Sequence, residues 1–455
     1  MKPFRSAVAA VLLVVAVLLT AACGSPGGVG RLPTATPPGP PAAPARPTAT
    51  PAPADATAAA ISALRQRLAA SPSDPATLRD LGLALLQRVR ETADPSLYTQ
   101  AEEALERARS IDPDDPLVLV GLGSIELGRH EFAAALETSE SALALAPSMP
   151  AAQAIRVDAL VELGRYDEAV EAGSRLLSLR VDLASLARVS YLRELHGNLD
   201  GAIAAMEQAA DVPATAPENA AYVRTLLGNL LTYVGRRSEA AGAYEWALST
   251  MPNHAAANAG LGRLAVGRGD YAEAIRRFEA ASAVLPLPEY VIALGEAREA
   301  AGDADGAAED YALARAETRL FEAAGVDVDL ELALFEADHG DPARALDLAE
   351  AAYAARQTIR TADALAWASH AAGRAADAAR LSERALALGT RDPLLRYHAG
   401  MIALSAGRTA DARRLLGEAL DLDPGFSATG ARAARAALAD LGGDDEAAVE
   451  GDVAR

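Results

Sequence analysis

Cysteine and lysine are almost missing from this chain: Cys23 and Lys2 are the only examples in 455 residues. A single thiol excludes an intrachain disulfide and any cysteine-based zinc cluster. A lone lysine at the second position leaves none for a phosphate-binding P-loop or for Schiff-base chemistry. Aromatics make up 4% while hydrophobic residues reach 51%, so alanine supplies much of the apolar content. Alanine is the strongest helix former and lets helices approach closely, which predicts an almost wholly α chain. Acidic residues outnumber basic ones 62 to 42, a net charge of −20. Such a surface repels phosphate backbones, so no nucleic-acid partner is expected.

Catalytic patterns are equally scarce. The six histidines, His130, His196, His254, His339, His370 and His398, include no pair four residues apart and no HExxH, so no metal site is expected. No serine sits in a GxSxG elbow. Carboxylate pairs such as Glu102-Glu103 and Asp114-Asp115 read as solvated faces. Gly121-Leu122-Gly123 and Gly260-Leu261-Gly262 fall inside helical patterns rather than after a strand, which excludes a dinucleotide loop. No cofactor is expected.

What the chain does have is a ladder. Glycine recurs at Gly128, Gly164, Gly197, Gly235, Gly269, Gly302, Gly340, Gly373 and Gly407, with gaps of 36, 33, 38, 34, 33, 38, 33 and 34. An alanine follows each by five residues, as at Ala240, Ala274 and Ala412. A period near 34 over most of the sequence predicts a solenoid instead of one large globular core.

The fullest blocks are Leu227-Gly228, Gly235, Ala240, Tyr244, Ala247, Pro252 and Leu261-Gly262, Gly269, Ala274, Phe278, Ala281, Pro286. Leu294-Gly295 with Gly302, Ala307, Tyr311 and Ala314 repeats the spacing, as do Gly400, Gly407, Ala412, Leu416, Ala419 and Pro424. Small residues allow one helix to cross close to the next, the large one fills the gap, and proline ends the second helix. This pattern resembles the tetratricopeptide repeat, a helix–turn–helix unit of 34 residues. The resemblance implies an all-α, right-handed superhelical solenoid, with ten units over 75–424. The first unit carries an insertion around Glu91–Leu97, several units lack the closing proline, and the early tryptophan of the family is absent. Residues 55–74, with Ile61, Leu64 and Leu68 on one face, read as an N-terminal cap; 425–441 reads as a C-terminal capping helix. The acidic tail 442–455 reads as disordered.

In the resembled family, ligands lie along the concave face formed by the first helix of each unit. Carried over, the groove places are Tyr222, Asn229, Tyr233, Arg263, Glu296, Glu299, Arg360, Trp367, His370 and Tyr397, and the implied partner is a protein or peptide. Asn229 matches a place used to clamp a peptide's terminal carboxylate, but no lysine exists to complete that clamp. The expected function is a non-catalytic binding scaffold. The alternative is an enzyme, or enzyme subunit, acting on envelope polymers, with Glu296 and Glu299 as its candidate carboxylates.

The N-terminus carries an address. Lys2 and Arg5 precede an apolar stretch of 13 residues, Ala7–Leu19, short of the roughly 20 that span a bilayer. Leu19-Thr20-Ala21-Ala22-Cys23-Gly24 resembles a bacterial lipobox, which implies a signal peptide over 1–22, lipidation of Cys23 and anchoring to the outside of the cell membrane, with plain secretion as the alternative. Residues 24–54 hold ten prolines and twice spell Pro-Thr-Ala-Thr-Pro. Such a tether cannot bury a core and extends up to on the order of 100 Å.

Overall fold

The computed structural model describes residues 56–92, 94, 96–214, 216–323 and 328–453. The expected signal peptide, Cys23 and the expected tether lie outside the described residues. Among those described, every regular element is an α-helix, and there are 22. Helix α1 (Ala56–Ala70) packs on α2 (Pro75–Thr92) through Ile61, Leu64 and Leu68. Ten antiparallel pairs follow. The first five are α2 with α3 (Ser96–Ile111), α4 (Pro116–Gly128) with α5 (Phe132–Leu145), α6 (Pro150–Glu162) with α7 (Tyr166–Leu179), α8 (Leu183–Leu195) with α9 (Leu199–Asp211), and α10 (Pro217–Tyr233) with α11 (Arg237–Thr250). The others are α12 (Ala255–Gly267) with α13 (Tyr271–Val284), α14 (Pro288–Ala301) with α15 (Ala304–Ala323), α16 (Asp329–His339) with α17 (Pro342–Ala355), α18 (Ile359–Ala371) with α19 (Ala375–Ala385), and α20 (Pro393–Ser405) with α21 (Thr409–Leu422). Helix α22 (Ala428–Val453) ends the array. None of the described helices is long and apolar enough to cross a membrane.

The ladder has a local cause. The first helix of a unit stops on a left-handed residue, as at Gly235 (φ 76°) and Gly269 (φ 73°), a conformation that glycine adopts without a Cβ penalty. Five residues on, Ala240 and Ala274 are fully buried at the start of the second helix. In the second unit the left-handed residue is His130 (φ 64°), 34 residues before Gly164, while Gly128 still lies inside α4. There a Cβ would meet the Tyr98 ring, so Gly128 serves packing. The 36-residue first gap is therefore a two-residue register shift. The gaps of 38 coincide with α10, which runs 17 residues where α12 has 13, and with α15, which runs 20 residues where α13 has 14.

Pairs stack on their neighbours, and the coil also meets itself four to six units later. The Arg356 guanidinium donates to Glu162 Oε2 at 3.0 Å, and the Ile359 amide donates to the Tyr166 hydroxyl at 3.0 Å. Arg237 reaches the Asp421 carbonyl at 3.4 Å. A Cβ on Gly197 or Gly425 would strike the backbone of Gly389 or Arg263 respectively. Successive turns of the solenoid thus lie in direct contact.

Two boundaries differ from expectation. The cap was expected over 425–441 with disorder beyond, whereas α22 starts at Ala428 and continues as helix to Val453. Instead of simply covering the last unit, α22 also packs back against α14, three units earlier.

Candidate functional site

The first helices of the last four units, α14, α16, α18 and α20, face one another, and the start of α22 crosses between them. They enclose a cavity of about 640 Å³. On α14, Glu289, Ile292, Ala293, Glu296 and Glu299 line it at three- and four-residue spacing, one face of a helix. Helix α16 contributes Glu331, Leu334, Phe335, Asp338 and His339; α18 and α20 contribute Trp367, Leu394 and Tyr397. Phe426, Ser427, Thr429, Gly430 and Ala433 close it from the α22 side. A more open hollow of about 590 Å³ between α1 and α2, lined by Ile61, Arg65 and Arg88, gathers none of the expected site residues.

The wall chemistry is apolar and acidic. Trp367 is 7% exposed and donates through Nε1 to Asp338 Oδ1 at 2.7 Å. His370 stacks on it with ring centroids 5.0 Å apart, and His398 stacks at 4.3 Å. His398 in turn holds Asp363 Oδ2 at 2.8 Å through Nδ1. Burial pushes the Asp338 carboxyl above its ordinary range, against the pull of His398 and of the Trp367 hydrogen bond. Burial also pushes Glu289 up to about 7, the Arg263 charge opposing it. Glu296 Oε2 accepts from the Ser427 hydroxyl at 2.7 Å and the Ala428 amide at 3.1 Å, which pins the first turn of α22. Its other oxygen lies 3.5 Å from His339 Nε2. Glu299 accepts from the Tyr311 hydroxyl at 3.1 Å and from Arg432 at 3.4 Å.

The expected groove residues divide into two groups. Glu296, Glu299, Trp367 and Tyr397 line the cavity, and His370 backs it by stacking on Trp367. Tyr222, Asn229, Tyr233, Arg263 and Arg360 do not line it. Asn229 Oδ1 accepts from the Tyr244 hydroxyl and from Arg263, both at 2.8 Å, and so locks two neighbouring units together. Tyr222 and Tyr233 are partly buried against the core of the middle units. Arg360 keeps contact with water. The Tyr191 phenol, opposed by desolvation, and the Asp392 and Glu162 carboxylates together push the Arg360 guanidinium up, and these neighbours come from three separate units.

Phe335, Asp338, His339, Leu394, Phe426 and Thr429 were missed. Leu394 lies three residues from Tyr397 on α20 and was legible from helical spacing, whereas α16 held no expected groove place from which Phe335, Asp338 and His339 could be read. Phe426 and Thr429 carry no such signal, because nothing periodic announces that α22 folds back. Among the described residues no group of three or more His, Cys, Asp or Glu is placed to hold a metal. Gly121, Gly123, Gly260 and Gly262 all lie within helices, where a Cβ would strike Leu105, Ile155, Tyr244 or Phe278.

Sequence models of the tetratricopeptide repeat match residues 231–296 and, in two overlapping stretches, 96–150 and 120–187. Over those stretches the chain carries tetratricopeptide repeats. No curated protein matches it. Among solved structures, a tetratricopeptide repeat protein from Parabacteroides merdae is 20% identical over 53% of this chain and 98% of its own, with a TM-score of 0.38. The human IFIT1 dimer with PPP-AAAA is 15% identical over 72% of this chain and 77% of its own, with a TM-score of 0.46. PilW, a type IV pilus biogenesis factor, is 18% identical over 46% of this chain and 97% of its own, with a TM-score of 0.39. The tetratricopeptide solenoid is a scaffold suited to protein interaction.

Proposed function

We propose that this protein is a non-catalytic scaffold, tethered outside the cell membrane through a lipid on Cys23, that holds a protein or peptide partner between the first helices of its last four units. The observation that carries the reading is the cavity of about 640 Å³, within the range of roughly 300–1,000 Å³ typical of ligand sites, with apolar walls and a few convergent polar groups. The proline-rich stretch behind Cys23 suits a stalk that holds this site clear of a bilayer. Against an enzyme using Glu296 and Glu299 stands their employment: one carboxylate caps α22 and the other ties Tyr311 to Arg432.

A photo-crosslinking residue placed at Leu394 in living cells tests the binding reading, with the exposed Glu245 on the outer helix α11 as control. A discrete partner crosslinked from Leu394 and not from Glu245 supports it; equal yields from both positions contradict it. Cys23→Ala tests the tether separately. Membrane retention should be lost on fractionation, and unchanged retention would remove the lipid from the reading.

A further inference from the structure

We propose that the cavity between α14, α16, α20 and α22 selects a basic-apolar peptide segment, an arginine or lysine side chain set beside a large apolar one. This rests on the peptide-binding reading and specifies its chemistry. The cavity is too small for a packed helix, whose diameter with side chains is about 10–12 Å, so its occupant enters as a few side chains of an extended segment.

Charge decides which segment. Five carboxylates, Glu289, Glu296, Glu299, Glu331 and Asp338, line the walls, and no described lining residue is arginine or lysine. Compensation is partial: Arg432 lies 3.4 Å from Glu299, the wall residue His339 lies 3.5 Å from Glu296, and the Arg263 charge acts on Glu289. An acidic or phosphorylated segment would meet like charge there, whereas a cation gains charge-assisted hydrogen bonds. The net charge of −20 steers the same kind of partner toward the surface.

The aromatic residues are arranged for the apolar half of the ligand. Trp367 is flanked by stacked His370 and His398, so its ring faces are already occupied and it offers an edge, not a cation-π platform. The cation is therefore left to the carboxylates, while Phe335, Tyr397 and Phe426 form the surface for its apolar neighbour.

The test uses the purified full-length chain and three short labelled peptides of identical apolar composition that differ at two positions: arginine, glutamine or glutamate. In fluorescence anisotropy the arginine peptide should bind about tenfold tighter than the glutamine peptide. That advantage should shrink as salt is raised. The double variant Glu289→Gln, Glu331→Gln should remove the advantage and leave the glutamine peptide's affinity unchanged. Ala293→Trp, which fills the cavity, should abolish binding of both; if its melting curve departs from wild type, Thr429→Trp at the rim takes its place. Equal or tighter binding of the glutamate peptide overturns the charge assignment while leaving peptide binding intact. Binding of benzyltrimethylammonium as tight as that of the arginine peptide overturns the peptide commitment and marks a small-cation site. Failure of all three peptides to bind overturns the inference altogether, whereas the crosslink from Leu394 judges the broader reading independently.

Discussion

Tyr244 is held between two glycines on successive first helices. A Cβ on Gly228 would come within 2.5 Å of its Cε1, and a Cβ on Gly260 would come even closer. Alanine is favoured over glycine in a helix by about 1 kcal/mol, so propensity alone makes Gly260→Ala stabilising. Overpacking a tight contact costs about 1–3 kcal/mol, and here the opposing ring is itself fully packed, so the clash should win. Gly260→Ala is expected to lower the melting temperature, and adding Tyr244→Leu should recover part of the loss. An additive double mutant would show that the two positions do not meet.

Glu317 tests buried charge at the same scale. It is 7% exposed, has no hydrogen-bond or ion-pair partner among the described residues, and is pushed by burial up to about 7. The unfolded chain ionises it near its ordinary value of 4.5, the folded chain only near 7. Between those values the folded state retains a proton that the unfolded state has released, so stability falls as pH rises through this window. Glu317→Gln should therefore raise stability by roughly 1–2 kcal/mol at pH 8 and change little at pH 4. Thermal melts of both proteins across that range check it, and a gain independent of pH would contradict the assignment.

At the scale of elements, α22 is the part least secured by the repeat rule. Its first turn hangs on Glu296, which accepts from Ser427 and Ala428 across a sequence separation of more than 130 residues. Glu296→Ala should loosen α22 and open the cavity from that side. Because repeat stability is largely a sum over neighbours, the first six units should be undisturbed. Hydrogen exchange should speed up over residues 428–441 and stay unchanged over 75–284; acceleration throughout would mean that α22 supports the whole array. The helix pairs themselves were legible from Gly235, Ala240, Tyr244 and their equivalents, since each reports a turn or a contact made within one unit or with the next. The side of the array that α22 covers was not, because Glu296 reads in sequence as one more groove carboxylate.

At the scale of the molecule, the contact between turns is concentrated in a few buried groups. Arg356 and Glu162 are 8% and 9% exposed, and Tyr166 receives the Ile359 amide beside them. Removing one member of a buried ion pair commonly costs about 3–5 kcal/mol. Arg356→Leu combined with Tyr166→Phe should separate the turns without melting the units, since each unit keeps its neighbours. Small-angle scattering should show a larger radius of gyration at unchanged helical circular dichroism. An unaltered radius would show that the stacking rests on other contacts.

The sequence alone determined the helices, their pairing and the period of the array, because those follow from contacts between residues at most one unit apart, which a regular spacing of glycine, alanine and aromatic residues records. The tertiary structure decided which concave residues remain available. The cavity beside Trp367 and Tyr397 is closed by α22, pinned to Glu296 across more than 130 residues, and the turns of the coil meet through hydrogen bonds spanning 184 to 194 residues. Those contacts form only where small rotations between neighbouring units, accumulated over several of them, bring one turn of the coil onto the next, and no local pattern encodes that sum.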